Sequence, residues 1–176
     1  MASSGTFVNE FRSNYAIEID WEIVSQNVSN NTSDVRARLY LHSLDQYATI
    51  SSSADKNGYV RIDGNTSNYT VSSGNLSANQ RRLLHTYTRT VSHNNDGTKS
   101  VSLSGMLDLE VTLSGTYYNE VSVSGTANLD RIDRGRMAVK VKGNWRKGNT
   151  FVKVDGSWRQ AVSVFVKVDG SWRRSV

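Results

Sequence analysis

Val-Ser-Leu-Ser-Gly-Met-Leu-Asp-Leu-Glu-Val-Thr-Leu, residues 101–113, alternates apolar and polar side chains more cleanly than any other part of the chain. Valine or leucine occupies most odd positions, whereas serine, aspartate, glutamate or threonine occupies most even ones. Successive side chains of a β-strand point to opposite faces of a sheet, so this period of two predicts a strand with one buried face. The pattern returns in residues 121–129.

Two earlier segments, residues 15–23 and 35–42, alternate in the same way. Glu18, Asp20 and Glu22 share one face of the first, while Arg36 and Arg38 share a face of the second. If the two strands are antiparallel neighbours, these carboxylates face the arginines on the solvent side of the sheet. The sequence therefore predicts a hairpin with one solvated face.

Shorter strands are predicted around residues 48–52, 59–62, 69–72 and 83–93, and no segment shows a convincing helical period. Turn sequences separate them, among them Asp55-Lys-Asn-Gly58, and Asn94-Asn-Asp-Gly97 is interpreted as a hairpin turn rather than a calcium loop. Gly105 and Gly125 are interpreted as bulges or bends. Seven or eight strands with one apolar face each predict an all-β, antiparallel β-sandwich over residues 1–133, either immunoglobulin-like or jelly-roll.

Residues 137–176 contain a repeat and form a second predicted unit, after a linker at residues 134–136. Phe-Val-Lys-Val-Asp-Gly-Ser-Trp-Arg occurs at 151–159 and 165–173, with a looser copy at 138–146. Each copy predicts a β-hairpin that turns at Asp-Gly or Lys-Gly. In a two-residue turn Lys153 pairs with Trp158, so that Phe151, Lys153, Trp158 and Gln160 share one face.

Two interpretations of the repeated tryptophans, Trp145, Trp158 and Trp172, stay open. They form either a small core, since a repeat this short must bury something, or an aromatic platform for sugar rings. In the platform interpretation Lys153 and Lys167 lie against the indoles, and Arg159 and Arg173 on the opposite face contact phosphate or a partner subunit. Isolated hairpins are marginal in water, which predicts a homo-oligomer, with a trimer as first guess, or docking on another protein.

Positive charge is concentrated in the repeats. Residues 137–176 contain nine Lys or Arg and two Asp, a net charge of +7, whereas residues 1–136 contain twelve basic and fourteen acidic residues, a net charge of −2. The cations alternate with valines instead of clustering, which argues against a nucleic-acid partner. An anionic surface such as a teichoic-acid-decorated cell wall fits the charge at least as well.

Sequence motifs for catalysis are missing, and we expect no enzyme and no cofactor. His42, His85 and His93 lack metal-ligand spacing, no serine lies in a nucleophile elbow, and the carboxylate pairs fall on solvated strand faces. The chain has no cysteine, no apolar run of membrane-spanning length and no signal-peptide pattern after Met1. We therefore expect a protein made in a cytoplasm and not exported by a cleavable signal.

Three segments together resemble a domain of structural proteins from siphovirus-type bacteriophages. They are residues 15–41, the sequence His93-Asn-Asn-Asp-Gly-Thr-Lys-Ser-Val, and residues 116–134, which end in Ile132-Asp-Arg where that family often has Ile-Pro-Arg. The Val-Lys-Val-Asp-Gly-Ser-Trp-Arg repeats resemble modules that often close phage tail proteins. The resemblance implies a virion component of the tail or particle surface that is made in the cytoplasm of the bacterial host and works by binding and assembly.

The sequence and this resemblance together predict a tail accessory or adhesin protein that contacts host-surface carbohydrate and other virion proteins. The alternative is a head or tail-tube decoration protein whose hairpins anchor it to the particle. A wall hydrolase is the weakest hypothesis, because no acid/base pair is evident.

Overall fold

A computed structural model describes residues 2–133, 137–141, 144–148, 150–161 and 164–174. Within these residues the backbone forms strands and no helix, so no helix there could cross a membrane. The strands are β1 (Ser4–Arg12), β2 (Tyr15–Asn27), β3 (Thr32–Ser43), β4 (Lys56–Ile62), β5 (Asn65–Val71), β6 (Arg81–Ser92), β7 (Ser100–Leu113), β8 (Thr116–Asn128), β9 (Met137–Val141), β10 (Asn144–Gly148), β11 (Phe151–Val154), β12 (Ser157–Gln160), β13 (Phe165–Val168) and β14 (Ser171–Arg174).

Strands β1 to β8 form two four-stranded antiparallel sheets that pack face to face, which confirms the predicted sandwich. The first sheet has the order β1-β2-β3-β6 and the second the order β5-β4-β7-β8. The alternation of apolar residues had left the order of the strands within each sheet open, and the structure gives that order. Strands β1 to β3 form a meander, the chain crosses to the second sheet for β4 and β5, and it returns for β6.

The alternating residues of β2, β3 and β7 form the core between the sheets, as the sequence predicted. Ile17, Leu39 and Leu107 are fully buried there. Burying such a side chain contributes about 1.5–3 kcal/mol relative to leaving it exposed. The other fully buried apolar side chains among the described residues are Ala16, Ile19, Val35, Ala37, Leu41, Val60, Ile62, Leu76, Val101, Leu103, Leu109 and Leu129.

Gly105 and Gly125 are not bulges, contrary to the sequence-based interpretation. The ladder between β7 and β8 continues through both, and its irregularity lies between Asp108 and Val111. The glycines instead leave room for neighbours across the core. A Cβ at Gly105 would lie 2.6 Å from Leu39 Cδ1, and one at Gly125 would lie 2.3 Å from Phe7 Cδ1.

Strand β1 was not predicted, and the predicted strand at 48–52 is reduced to a single bridge between Ile50 and Leu76. The predicted turn at residues 55–58 is also wrong, because β4 already begins at Lys56. Lys56 is buried and its ammonium lies 3.2 Å from the Glu110 carboxylate, so a residue that looks typical of a turn is accommodated inside a strand.

Residues 94–97 do not form a hairpin turn either. They bend tightly, with the Gly97 amide donating to the Asn94 carbonyl at 2.8 Å, but they lead from β6 in the first sheet to β7 in the second. The loop is held by Ile132, whose amide donates to the Gly97 carbonyl at 3.0 Å. Its glycine has a φ of 82°, in the left-handed region that favours glycine.

Strands β9 to β14 form three separate two-stranded hairpins, β9–β10, β11–β12 and β13–β14. Asp155 and Gly156 both have positive φ, as do Asp169 and Gly170, which is the backbone of a type I′ turn. Lys153 pairs with Trp158 and Lys167 with Trp172, so the predicted register is confirmed. The predicted linker, residues 134–136, lies outside the described residues.

Candidate functional site

Each of the last two hairpins presents what we call its aromatic face, which consists of Phe151, Lys153, Trp158 and Gln160 in the first and the equivalent positions of the second. The register places the members of each set opposite one another on one side of the ribbon. Trp158 and Trp172 are both 69% exposed, and Phe151 is about half exposed. Neither indole is therefore buried in a core within a single chain.

A lysine lies near the indole in the last hairpin. Lys167 Nζ is 6.0 Å from the centre of the Trp172 ring, at the outer limit of a cation–π contact. At an exposed site this contact contributes about 0.5–1 kcal/mol. A cation on one side of the ring leaves the other side available for stacking on a ligand.

The opposite face of the ribbon is also exposed. Val152 and Val154 lie there together with Arg159, which pairs with Val152 across the ladder. Arg173 has the equivalent place opposite Val166. Because a lone two-stranded hairpin is marginal in water, apolar side chains exposed on both faces indicate a surface made for contact.

Trp145 belongs to the looser copy of the repeat. Its backbone pairs with Lys140, so the register repeats the lysine–tryptophan pairing of the other two hairpins. The surroundings of its side chain lie outside the described residues. Its predicted role as a contact residue stays a prediction, as do those of the other tryptophans, lysines and arginines of the repeats.

The three histidines occupy separate structural positions in the sandwich. His93 is buried, with Nε2 2.7 Å from Ser33 Oγ and Nδ1 2.8 Å from the Gly97 carbonyl. Burial lowers the pKa of His85, which stacks on Tyr69. Among residues 2–133 and the described parts of the hairpins, no group of three acidic or histidine side chains could hold a metal ion.

His42 lies in an ion-pair network on the outer face of the first sheet. Its Nδ1 is 2.7 Å from Glu18, whose other oxygen accepts a hydrogen bond from Arg81 at 2.7 Å. Asp20 accepts a further hydrogen bond from the same guanidinium. Farther along the sheet Glu22 is bridged by two arginines, as the sequence predicted for this face. Glu18 is itself buried, so this part of the face is less solvated than expected.

The outer face of the second sheet carries a groove that the sequence pattern did not predict. It encloses about 480 Å³ and is lined by side chains of β4, β5 and β7, among them Asn57, Tyr59, Asn68 and Asp108. Asn57, Tyr59 and Asn68 belong to the hairpin of β4 and β5, whereas Asp108 lies about forty residues later in β7, and the pairing of β4 with β7 brings them together. Their shared signal in the sequence is a row of amides and tyrosine at outward-facing strand positions.

Comparison with known protein families shows which family the chain belongs to. Residues 5–154, from β1 to the end of β11, match the family described as "Siphovirus protein of unknown function (DUF859)". The chain therefore belongs to this siphovirus family, which confirms the resemblance inferred from the sequence. The family supports a phage structural protein that is associated with the virion. No match to a curated protein is found.

Proposed function

We propose that this siphovirus protein is a tail accessory or adhesin protein that contacts carbohydrate on the host surface through its aromatic faces. The observation that carries the proposal is the exposure of Trp158 and Trp172, each on the same face as a phenylalanine and a lysine. An exposed tryptophan leaves a large apolar ring in contact with water. That flat ring suits the apolar face of a pyranose.

Repetition strengthens such a contact. Polysaccharides present the same unit many times, and linked sites that bind repeated units gain avidity without any new contact. The two copies of Val-Lys-Val-Asp-Gly-Ser-Trp-Arg have the same register and the same exposed indole. The positive charge of the repeats adds attraction to an anionic cell wall.

A second candidate is a decoration protein whose hairpins anchor it to the particle or to copies of itself. The observation that favours it is the exposure of Val152 and Val154 opposite the aromatic face, because a saccharide would cover only one side of the ribbon. Sedimentation distinguishes the two: hairpins that mediate assembly give a stable oligomer, with a trimer as first expectation, and Val152→Asp should shift it to monomers.

The proposed activity is binding without catalysis. Glu18, Asp20 and Glu22 of the first sheet are engaged by arginine or histidine. Asp96 is held by Thr98, whose hydrogen bonds lower its pKa. A general acid in a glycosidase needs a raised pKa beside a second carboxylate, and a lowered pKa is the opposite arrangement.

The test replaces Trp158 and Trp172 by alanine, singly and together, and measures adsorption to purified host cell walls alongside thermal unfolding. We expect the double variant to lose adsorption while its melting temperature is unchanged. Val154→Ala, on the opposite face of the same hairpin, is the matched control and should adsorb normally. Truncating a buried aromatic costs about 3–5 kcal/mol, so a melting temperature that falls with adsorption would favour the anchoring function.

A further inference from the structure

The groove on the second sheet is built from two rows of outward-facing side chains that cross three strands. In one row Asn68 of β5 pairs with Tyr59 of β4, which pairs with Met106 of β7. In the other row Asn57 pairs with Thr70, and Asp108 follows Met106 by two residues on β7. An aromatic ring and a thioether therefore lie beside two amides, a hydroxyl and a carboxylate.

The polar groups of the groove are largely uncommitted. Within the described part of the chain the side chains of Asn68 and Asp108 make no hydrogen bond or ion pair. Asn57 uses only its carbonyl oxygen, which accepts from the Thr70 hydroxyl at 2.8 Å, so that both amide hydrogens are available. The groove thus offers donors and acceptors to a ligand at fixed positions on rigid strands.

The floor beneath these side chains is rigid. Tyr69 crosses under Gly58, and its hydroxyl donates to the Met106 carbonyl at 3.1 Å. A Cβ at Gly58 would lie 2.3 Å from that carbonyl oxygen and 2.5 Å from the tyrosine hydroxyl, so only glycine fits. The hydrogen bond ties β5 to β7 across β4 and holds the two walls of the groove in register.

The outer face of the first sheet differs from the groove, because its charged side chains are paired with one another. There Glu18, Asp20 and Glu22 each lie within ion-pair distance of an arginine, and Arg81 also covers the Tyr40 ring at 3.6 Å from its centre. These carboxylates and arginines therefore satisfy one another's hydrogen bonds and charges. Within the part of the chain that the structure describes, the groove on the second sheet instead leaves the side chains of Asn68 and Asp108 without protein partners beside Tyr59.

The charge of the groove selects among ligand classes. Asp108 lies directly across the ladder from Glu120, and like charges that face each other repel a further anion. No lysine or arginine is among the described residues that line the groove, and the guanidinium of Arg61 lies over the Tyr59 ring at 5.0 Å and donates to Thr66. Phosphate or uronate is therefore disfavoured, whereas vicinal hydroxyls can donate to Asp108 and accept from the amides.

We propose that the groove over β4, β5 and β7 is a binding site for a neutral saccharide, with Tyr59 stacked on a sugar ring and Asn57, Asn68 and Asp108 bonded to its hydroxyls. Its volume lies within the range of small-ligand pockets, about 300–1,000 Å³. The site shares a ligand class with the proposed function but uses none of the hairpin residues, so either can fail without the other.

The experiment probes the full chain with an array of neutral and acidic bacterial oligosaccharides, followed by calorimetric titration of the bound ones. The Trp158→Ala/Trp172→Ala double variant removes the hairpin indoles, and we expect it to keep its binding to neutral glycans. Adding Tyr59→Ala to that background should weaken this binding about tenfold, which corresponds to about 1.4 kcal/mol, within the range of one aromatic contact. Tyr59→Phe, which keeps the ring, should retain it.

Asn68→Ala and Asp108→Asn test the polar contacts at exposed or half-exposed positions that do not endanger folding, and each should weaken binding. Ser124→Ala on β8, on the same outer face but outside the groove, is the matched control and should bind as the parent does. The proposal is overturned if the double tryptophan variant binds no neutral glycan, if Tyr59→Ala binds as tightly as its parent, or if only acidic glycans bind.

Discussion

Leu107 in β7 and Val154 in β11 occupy comparable places in alternating strands, yet Leu107 is fully buried and Val154 is 38% exposed. The difference lies in what faces them. A second sheet covers β7, whereas β11 has only β12 beside it and nothing described above it. Alternation thus specifies which face of a strand is apolar, and the topology specifies whether that face finds a partner within the chain.

The largest expected difference between the two regions comes from truncating these equivalent side chains. Leu107→Ala should lower the free energy of unfolding by about 2–5 kcal/mol, because it leaves a cavity between the sheets. Val154→Ala should change it by less than about 0.5 kcal/mol. Urea unfolding followed by circular dichroism measures both. Equal effects would mean that the hairpin is packed as tightly as the sandwich.

A smaller effect is expected from the buried carboxylate of the first sheet. Glu18→Ala removes the partner of Arg81 and His42, and leaving polar groups partly buried without partners costs about 1–3 kcal/mol. Glu120→Ala, at an exposed position, is the control and should be nearly neutral. An unchanged urea midpoint for Glu18→Ala would show that solvent replaces the network.

Acid should weaken the sandwich more than the hairpins. Hydrogen bonds from Ser25 and Thr90 lower the pKa of Asp34, and a hydrogen bond from Arg36 lowers that of Glu22. A lowered folded-state pKa gives stability that is present above the unfolded values, 3.8 for Asp and 4.5 for Glu, and is lost as the pH falls through the folded ones.

Thermal unfolding between pH 7 and pH 2 tests this expectation. The melting temperature should begin to fall below about pH 4.5, and Asp34→Asn should flatten that fall. Asp155→Asn, in a hairpin turn, should leave the profile of the parent. A profile that Asp34→Asn does not alter would assign the acid sensitivity to other groups.

The smallest expected effect is that of removing the hairpins altogether. A chain shortened to residues 1–133 retains every strand of the two sheets, so its melting temperature should stay within a few degrees of that of the full chain. Calorimetry on both chains makes the comparison. A large loss of stability would show that sandwich and hairpins form one folding unit, against the predicted division at residues 134–136.

Much of the fold could be predicted because many of its strands and turns have sequence patterns that are visible within a few residues. The odd positions of β7 and the Asp-Gly turns of the hairpins are signals within a few residues, and both are confirmed. Strand β1 was missed because its face toward the core offers only Phe7 and Phe11 as large apolar residues. Gly105 and Gly125 were misinterpreted because their neighbours, Leu39 and Phe7, are distant in sequence.

The candidate sites show the same limit. The hairpin register was predictable because Lys153 and Trp158 are five residues apart and joined by one turn. The groove was not, since Asn68, Tyr59 and Asp108 meet only after three strands have paired in one register. Exposure of the indoles could not be predicted either, because burial of a ribbon depends on what packs against it.

The segment that leaves the sandwich is fastened on two sides. On one side Leu129 forms a parallel β-bridge with Ala2. On the other side the Leu129 amide donates a hydrogen bond to the Lys99 carbonyl, and the Ile132 amide donates one to the Gly97 carbonyl. In mechanical terms this segment is the joint through which a pull on the hairpins enters the sandwich. If the protein acts as the proposed adhesin, tension between particle and host would act on these backbone hydrogen bonds, which hold the segment on both of its sides.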